Sequence, residues 1–161
     1  MKELNLSYHI DAIEFIHRVQ NRKWDKDIPY WTHPLWCATM ILSEKLLSQK
    51  QRHQGAIALM YHDAIESGYE EVVPLEVLDL VKDMTFSGFD EEMLLLMSKS
   101  DFVILLKLYD KTSNLLDGHW MTKKRKDEYM LHTMRLIETV KEVYGPLMIC
   151  KFAEVLINER I

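Results

Sequence analysis

Residues 52–63 read Arg52-His53-Gln54-Gly55-Ala56-Ile57-Ala58-Leu59-Met60-Tyr61-His62-Asp63, an apolar helix that ends on an imidazole and a carboxylate side by side. Two such groups at the end of a core helix imply a partner, because a buried ionisable side chain left alone is costly. The helical pattern fades by Gly68, and Glu66 stands at i+3 from Asp63, one turn further along the same face.

The same anomaly recurs at two distant places. Upstream, His33 sits at the start of a second helix, in Pro29-Tyr30-Trp31-Thr32-His33-Pro34. Downstream, Asp110 interrupts the apolar face of a helix carrying Phe102, Leu105, Leu106, Leu108 and Tyr109, with Asn114 at i+4 beside it. Together His33, His62, Asp63 and Asp110 form a nitrogen-and-oxygen donor set suited to one divalent ion: manganese, iron, zinc or magnesium. Such a cation lowers the pKa of water towards ~7 and polarises a phosphoryl oxygen. Glu66 is placed to orient that water or to take its proton.

Outward from these anchors the chain reads as helices throughout. Ile10, Ile13, Phe15, Ile16 and Val19 make a stripe over about 7–22, which the polar stretch from Arg22 to Pro29 interrupts. Thr32 is read as the cap of the second helix, with Pro34 in its first turn and Leu35, Ala38, Ile41, Leu42 and Leu46 on its apolar face. Pro74 opens a short helix with Leu75, Leu78, Leu80 and Val81, and another short one covers 91–98. Asp101 is read as the cap of the Asp110 helix, which stops near Gly118. A long amphipathic helix over 122–144 turns Met130, Met134, Ile137 and Val140 inward, and Pro146 begins the last. With 5 Gly and 4 Pro in 161 residues, turn signals are too few for many short strands. The expectation is an all-α fold, one compact helical domain over residues 1–161.

Composition narrows the function. At 48% hydrophobic and 28% charged the chain is an ordinary globular protein, and its net charge of -5 argues against nucleic acid as partner. A small anion remains compatible, because a metal and a few cations reverse the sign locally. Cys37 and Cys150 follow no paired spacing and read as buried thiols in a reducing compartment. There is no signal-peptide pattern and no apolar run near the ~18 residues a membrane span needs, so the expected placement is cytoplasmic, with no membrane partner.

These residues resemble a known family. His33-Pro34, His62-Asp63 and Asp110 match the H…HD…D signature of HD-domain metal-dependent phosphohydrolases. The likeness is closest to the (p)ppGpp hydrolase domain of RelA/SpoT homologues and the small stand-alone Mesh1-like alarmone hydrolases. Pro29 to Pro34 resembles their PYxxHP segment, Tyr61 to Glu66 their LHDxxED segment, and Lys107 to Leu115 their KLADRLxNL segment. The resemblance spans roughly residues 7–150. It implies a helical HD domain, usually holding manganese, that removes the 3′-pyrophosphate of ppGpp, a small nucleotide. It further implies that Glu66 helps activate water and that Asn114 meets the ribose or phosphate region. Arg22 and Lys23 would line the nucleotide side, and Arg125 and Tyr129 would bind the distal phosphates. One departure stands out: the family's acidic pair continues with Asp, and here Ser67 occupies that catalytic place. A hydroxyl can hold water but is no base near pH 7.

Each of these residues also has a plainer reading. Arg22, Lys23 and the run Lys123-Lys124-Arg125-Lys126 are by default solvated charges. His9, His17, His53, His119 and His132 read as structural. Two alternatives to the alarmone reading stay open: an HD nucleotidase or phosphodiesterase on another nucleotide, and a metal-binding regulatory module with weak turnover.

Overall fold

A computed structural model describes residues 5–19, 23–24 and 27–159. Among these, α1 (Leu6–Val19) leads into a two-stranded antiparallel ladder, β1 (Lys23–Trp24) with β2 (Ile28–Pro29). Then come α2 (Thr32–Leu42), α3 (Gln49–Tyr61), α4 (Leu78–Met84), α5 (Phe89–Leu95), α6 (Asp101–Leu116), α7 (Lys123–Tyr144) and α8 (Met148–Asn158). The all-α expectation holds. The ladder pairs Lys23 with Pro29 and Trp24 with Ile28, inside the stretch read as an irregular polar break. Two residues a side is too short for alternation to mark a strand.

α3, α6 and α7 start on hydroxyl caps, which satisfy free N–H groups of the first turn. Ser48 Oγ accepts from Gln51 N at 3.2 Å while the Gln51 side chain accepts from Ser48 N at 3.0 Å, a capping box that fixes the start of α3. Ser100 caps α6 by accepting from Val103 N, and Thr122 caps α7 by accepting from Arg125 N. Asp101 is therefore the first helical residue of α6 rather than its cap. Thr32 is likewise inside α2: its hydroxyl donates to the Pro29 carbonyl at 2.6 Å and accepts no cap bond.

Packing centres on α6. Val103 to Ser113 are all buried, so this helix is enclosed on nearly every side, chiefly by α2, α7 and α8. Elsewhere the structure differs from the expected apolar faces at particular residues. On α7, Ile137 and Val140 are buried as expected and Met130 packs against the core, but Met134 is 46% exposed, and Tyr129, His132, Thr133 and Leu136 also turn inward. Tyr129 and His132 thereby lie against α6. Leu75, 89% exposed, precedes α4, which begins at Leu78 rather than at Pro74; α8 begins at Met148 rather than at Pro146. Leu46 and Phe15 are also exposed, Leu46 lying beyond the end of α2. Both cysteines are buried free thiols, and no described helix is long and apolar enough to cross a membrane.

Gly55 lies in close contact between α2 and α6. A Cβ there would lie 2.5 Å from Ile41 Cδ1, 3.1 Å from Leu106 Cδ2 and 3.3 Å from Phe102 Cζ. Alanine would improve helix propensity by ~1 kcal/mol, but overpacking a fully buried contact costs ~1–3 kcal/mol. Gly55→Ala should therefore destabilise the protein by about 1 kcal/mol, read from the midpoint of urea unfolding. A midpoint above wild type would mean that α2 and α6 can yield at this contact.

Candidate functional site

The site forms where three segments meet. His33 comes from the first turn of α2, and His62 and Asp63 directly follow the last turn of α3. Asp110 projects from the middle of α6. Beyond Asp63 the chain makes helical turns that close in a Schellman arrangement, Tyr69 N bonding to Ala64 O at 2.9 Å and Gly68 N to Ile65 O at 2.9 Å. Gly68 has φ +82°, the left-handed conformation this stop requires.

His33 Nε2 lies 3.2 Å from His62 Nε2, and these atoms lie 3.5 and 3.6 Å from Asp110 Oδ1. All three residues are buried, with their donor atoms within 4.8 Å of one another. Asp63 stands beside this trio, its Oδ2 3.4 Å from His62 Nε2. Metal–donor bonds of ~2.0–2.1 Å put neighbouring donors ~3.0 Å apart on an octahedron and ~3.4 Å apart on a tetrahedron. The observed spacings are of that size. The rings are also held from behind: His62 Nδ1 donates to the Leu59 carbonyl at 2.6 Å, and His33 Nδ1 is 2.7 Å from Ser113 Oγ. Such bonds at Nδ1 aim Nε2 inward, as metal-binding histidines require. The donor set fits a divalent cation.

Asp110 has a second side. Its Oδ2 is 2.8 Å from Lys107 Nζ and 3.2 Å from Lys111 Nζ, and both lysines reach Glu92 Oε2, at 2.7 and 2.9 Å. His132 Nε2 is 3.2 Å from the other Glu92 oxygen. All five are buried. Burial alone would neutralise the carboxyls, but the two ammonium groups outweigh it; they hold Asp110 well below the usual carboxylate range and Glu92 down to about 2. The lysines remain charged, since the carboxylates raise both above their ordinary value despite burial.

Tyr30 donates its hydroxyl to Asp63 Oδ2 at 2.6 Å, and its ring packs against His17 and His33. Asn114 donates Nδ2 to Asp110 Oδ1 at 2.6 Å, so its amide faces the metal-side oxygen. Glu66 is exposed at the rim, yet desolvation by the surrounding protein and then the Asp63 carboxylate push its carboxyl above the usual range. Ser67 is half-buried next to it, its N–H bonded to the Asp63 carbonyl at 3.1 Å. Tyr129 stacks on Phe89 at 4.0 Å, with the Lys111 ammonium 5.2 Å from its ring centre. Arg125 lies over Phe89 on the outer side and pairs with Asp90 at 2.9 Å and Glu128 at 3.2 Å. Arg22 lies outside the described residues, and of Lys23 only the backbone, in β1, is described.

No family model and no curated protein sequence matches the chain. A solved structure does: that of a metazoan orthologue of SpoT, described as hydrolysing ppGpp and playing a role in starvation responses. It superposes with a TM-score of 0.74 at 19% identity, over 99% of this chain and 97% of that one. The fold is that of this hydrolase.

Tyr30, Lys107, Lys111 and Ser113 lie within the quoted motif segments without a role read for them there, and Glu92 lies outside those segments. Lys107 and Lys111 do leave a signal, two cations flanking Asp110 on an otherwise apolar helix. Glu92 leaves none, because its link to Asp110 exists only across the α5–α6 contact.

His62 gives the metal-free site a pH signature. Burial opposes its charge, but the carboxylates of Asp63 and Asp110 outweigh burial and raise its pKa to about 9, while burial lowers that of His33. In the unfolded chain the value is ~6.5. The stability from His62 is thus fully present below pH ~6.5 and is lost as pH rises through about 9. The thermal midpoint of metal-free protein should fall across that window, and His62→Gln should flatten the fall. An unchanged slope in His62→Gln would assign the titration to another group.

Proposed function

We propose that this chain is a metal-dependent phosphohydrolase that removes the 3′-pyrophosphate of (p)ppGpp in the cytoplasm. The observation that carries this reading is the convergence of buried His33, His62 and Asp110 on one point, in the fold of a protein described as hydrolysing ppGpp. These residues and Asp63 would hold one divalent ion, manganese by family resemblance. When bound, it supplies Lewis acidity toward a phosphoryl oxygen and toward water.

The chain's own residues account for the remaining steps. Glu66, with its raised pKa, takes a proton from the attacking water better than an ordinary carboxylate would. Ser67 holds that water by hydrogen bonding without accepting its proton. The water oxygen bonds to the phosphorus next to the ribose, the P–O3′ bond breaks, and O3′ leaves with a proton. From ppGpp the products are GDP and pyrophosphate. Asn114 keeps Asp110 oriented and faces the ribose side, while Tyr129, Arg125, Arg22 and Lys23 serve the phosphates and the nucleotide.

A second reading, a nucleotidase or phosphodiesterase for another nucleotide, has one observation in its favour. The Arg125 guanidinium is already held by Asp90 and Glu128, so a distal diphosphate would have to displace them.

Metal-reconstituted protein incubated with ppGpp, pppGpp and common mono- and triphosphates should release pyrophosphate from the first two, and removing the metal should abolish turnover. Glu66→Gln should lower kcat by ~10²-fold or more at unchanged metal content. Rapid cleavage of another nucleotide with ppGpp untouched would favour the second reading. Full activity after complete metal removal would overturn both.

A further inference from the structure

The buried charges behind Asp110 balance. Asp110 and Glu92 contribute two negative charges, and Lys107 and Lys111 two positive ones, each lysine bridging the two carboxylates. Both ammonium groups lie against Asp110 Oδ2, while Oδ1 faces His33 and His62. Without Glu92, the full charge of two lysines would fall on Asp110 alone, in a region shielded from water. The carboxylate would be drawn towards the lysines, and a cation at Oδ1 would meet an excess positive charge. Glu92 is itself held in place, since His132 engages its second oxygen. Phe86, Phe89 and Tyr129 cover the lysines with their rings.

We propose that Glu92, which contacts none of the donor atoms, is a positioning residue that sets metal affinity by sharing Lys107 and Lys111 with Asp110. The proposal rests on the metal-binding reading of the site. It assigns α5 a part in the centre although α5 supplies no ligand. The coupling is electrostatic, so removing the anion and removing a cation must act in opposite directions. A purely structural prop would show one direction only, since breaking the network from either side would loosen the site.

The test is titration of full-length metal-free protein with Mn²⁺, followed by calorimetry, with thermal unfolding of each variant alongside. Glu92→Gln keeps the shape, removes the charge and should weaken Mn²⁺ binding by about tenfold or more, as loss of outer-shell partners does. Lys111→Met removes one cation and should tighten binding several-fold. The double variant Glu92→Gln with Lys111→Met restores neutrality and should return to within about threefold of wild type. If Glu92→Gln fails to fold, Lys111→Met decides by itself: tighter binding supports the proposal, and equal or weaker binding overturns it. Unchanged affinity in folded Glu92→Gln, or weakening in all three variants, also overturns it. Wild-type protein that binds no Mn²⁺ would instead refute the metal reading, an outcome distinct from these.

Discussion

Asp110 carries its negative charge inside a helix that is enclosed by other helices, and the neighbouring structure serves to make that possible. An isolated carboxylate there would cost several kcal/mol in lost hydration. Two lysines on the same helix answer it, and because they too are buried they need a second carboxylate, which Glu92 provides from α5. The long lysine stems let α6 keep its apolar packing while their ammonium ends meet the carboxylates. The polar residues that α7 buries follow from the same requirement. Tyr129 and His132 face inward beside the apolar stripe, because one covers Lys111 and the other completes Glu92.

The result is a site with two differently charged sides. On the α5–α7 side, cations and anions pair off in a buried network. On the α2–α3 side, two imidazoles share one position with Asp110 Oδ1, the arrangement of donors suited to a cation, and Asp63 is steadied by Tyr30. Glu66 and Ser67 lie on the more open rim. This division separates a rigid, dry donor cluster suited to a cation from a rim that solvent can reach. Ser67 lies on the open side, apart from the buried donor cluster.

The helices, their order and the candidate donors were legible in the chain because each rests on local chemistry. Apolar residues recurred with helical spacing, and polar residues stood out wherever that spacing should have excluded them: His33 at a helix start, His62-Asp63 at a helix end, Asp110 in mid-helix. Caps were read less well. Ser100, Asp101 and Thr32 are all capping residues by type, and only backbone conformation decides which of them accepts a free N–H and which is already helical. On α7 the apolar stripe is legible at Ile137 and Val140 but not at Met134, since methionine fits core and surface alike.

What the sequence by itself determined was an all-helical chain and a set of polar residues that a core would tolerate only in partnership. That set is visible because burial makes unpaired polar groups expensive, so their presence in apolar helices is informative. Which of these residues pair with one another is set by how the helices pack. Glu92 and Asp110 are 18 positions apart on separate helices, and His33 and Ser113 are 80 apart. Periodicity reports which face of a helix is apolar, but electrostatic pairing depends on distances of a few ångströms between helices, and those are fixed only when the helices pack.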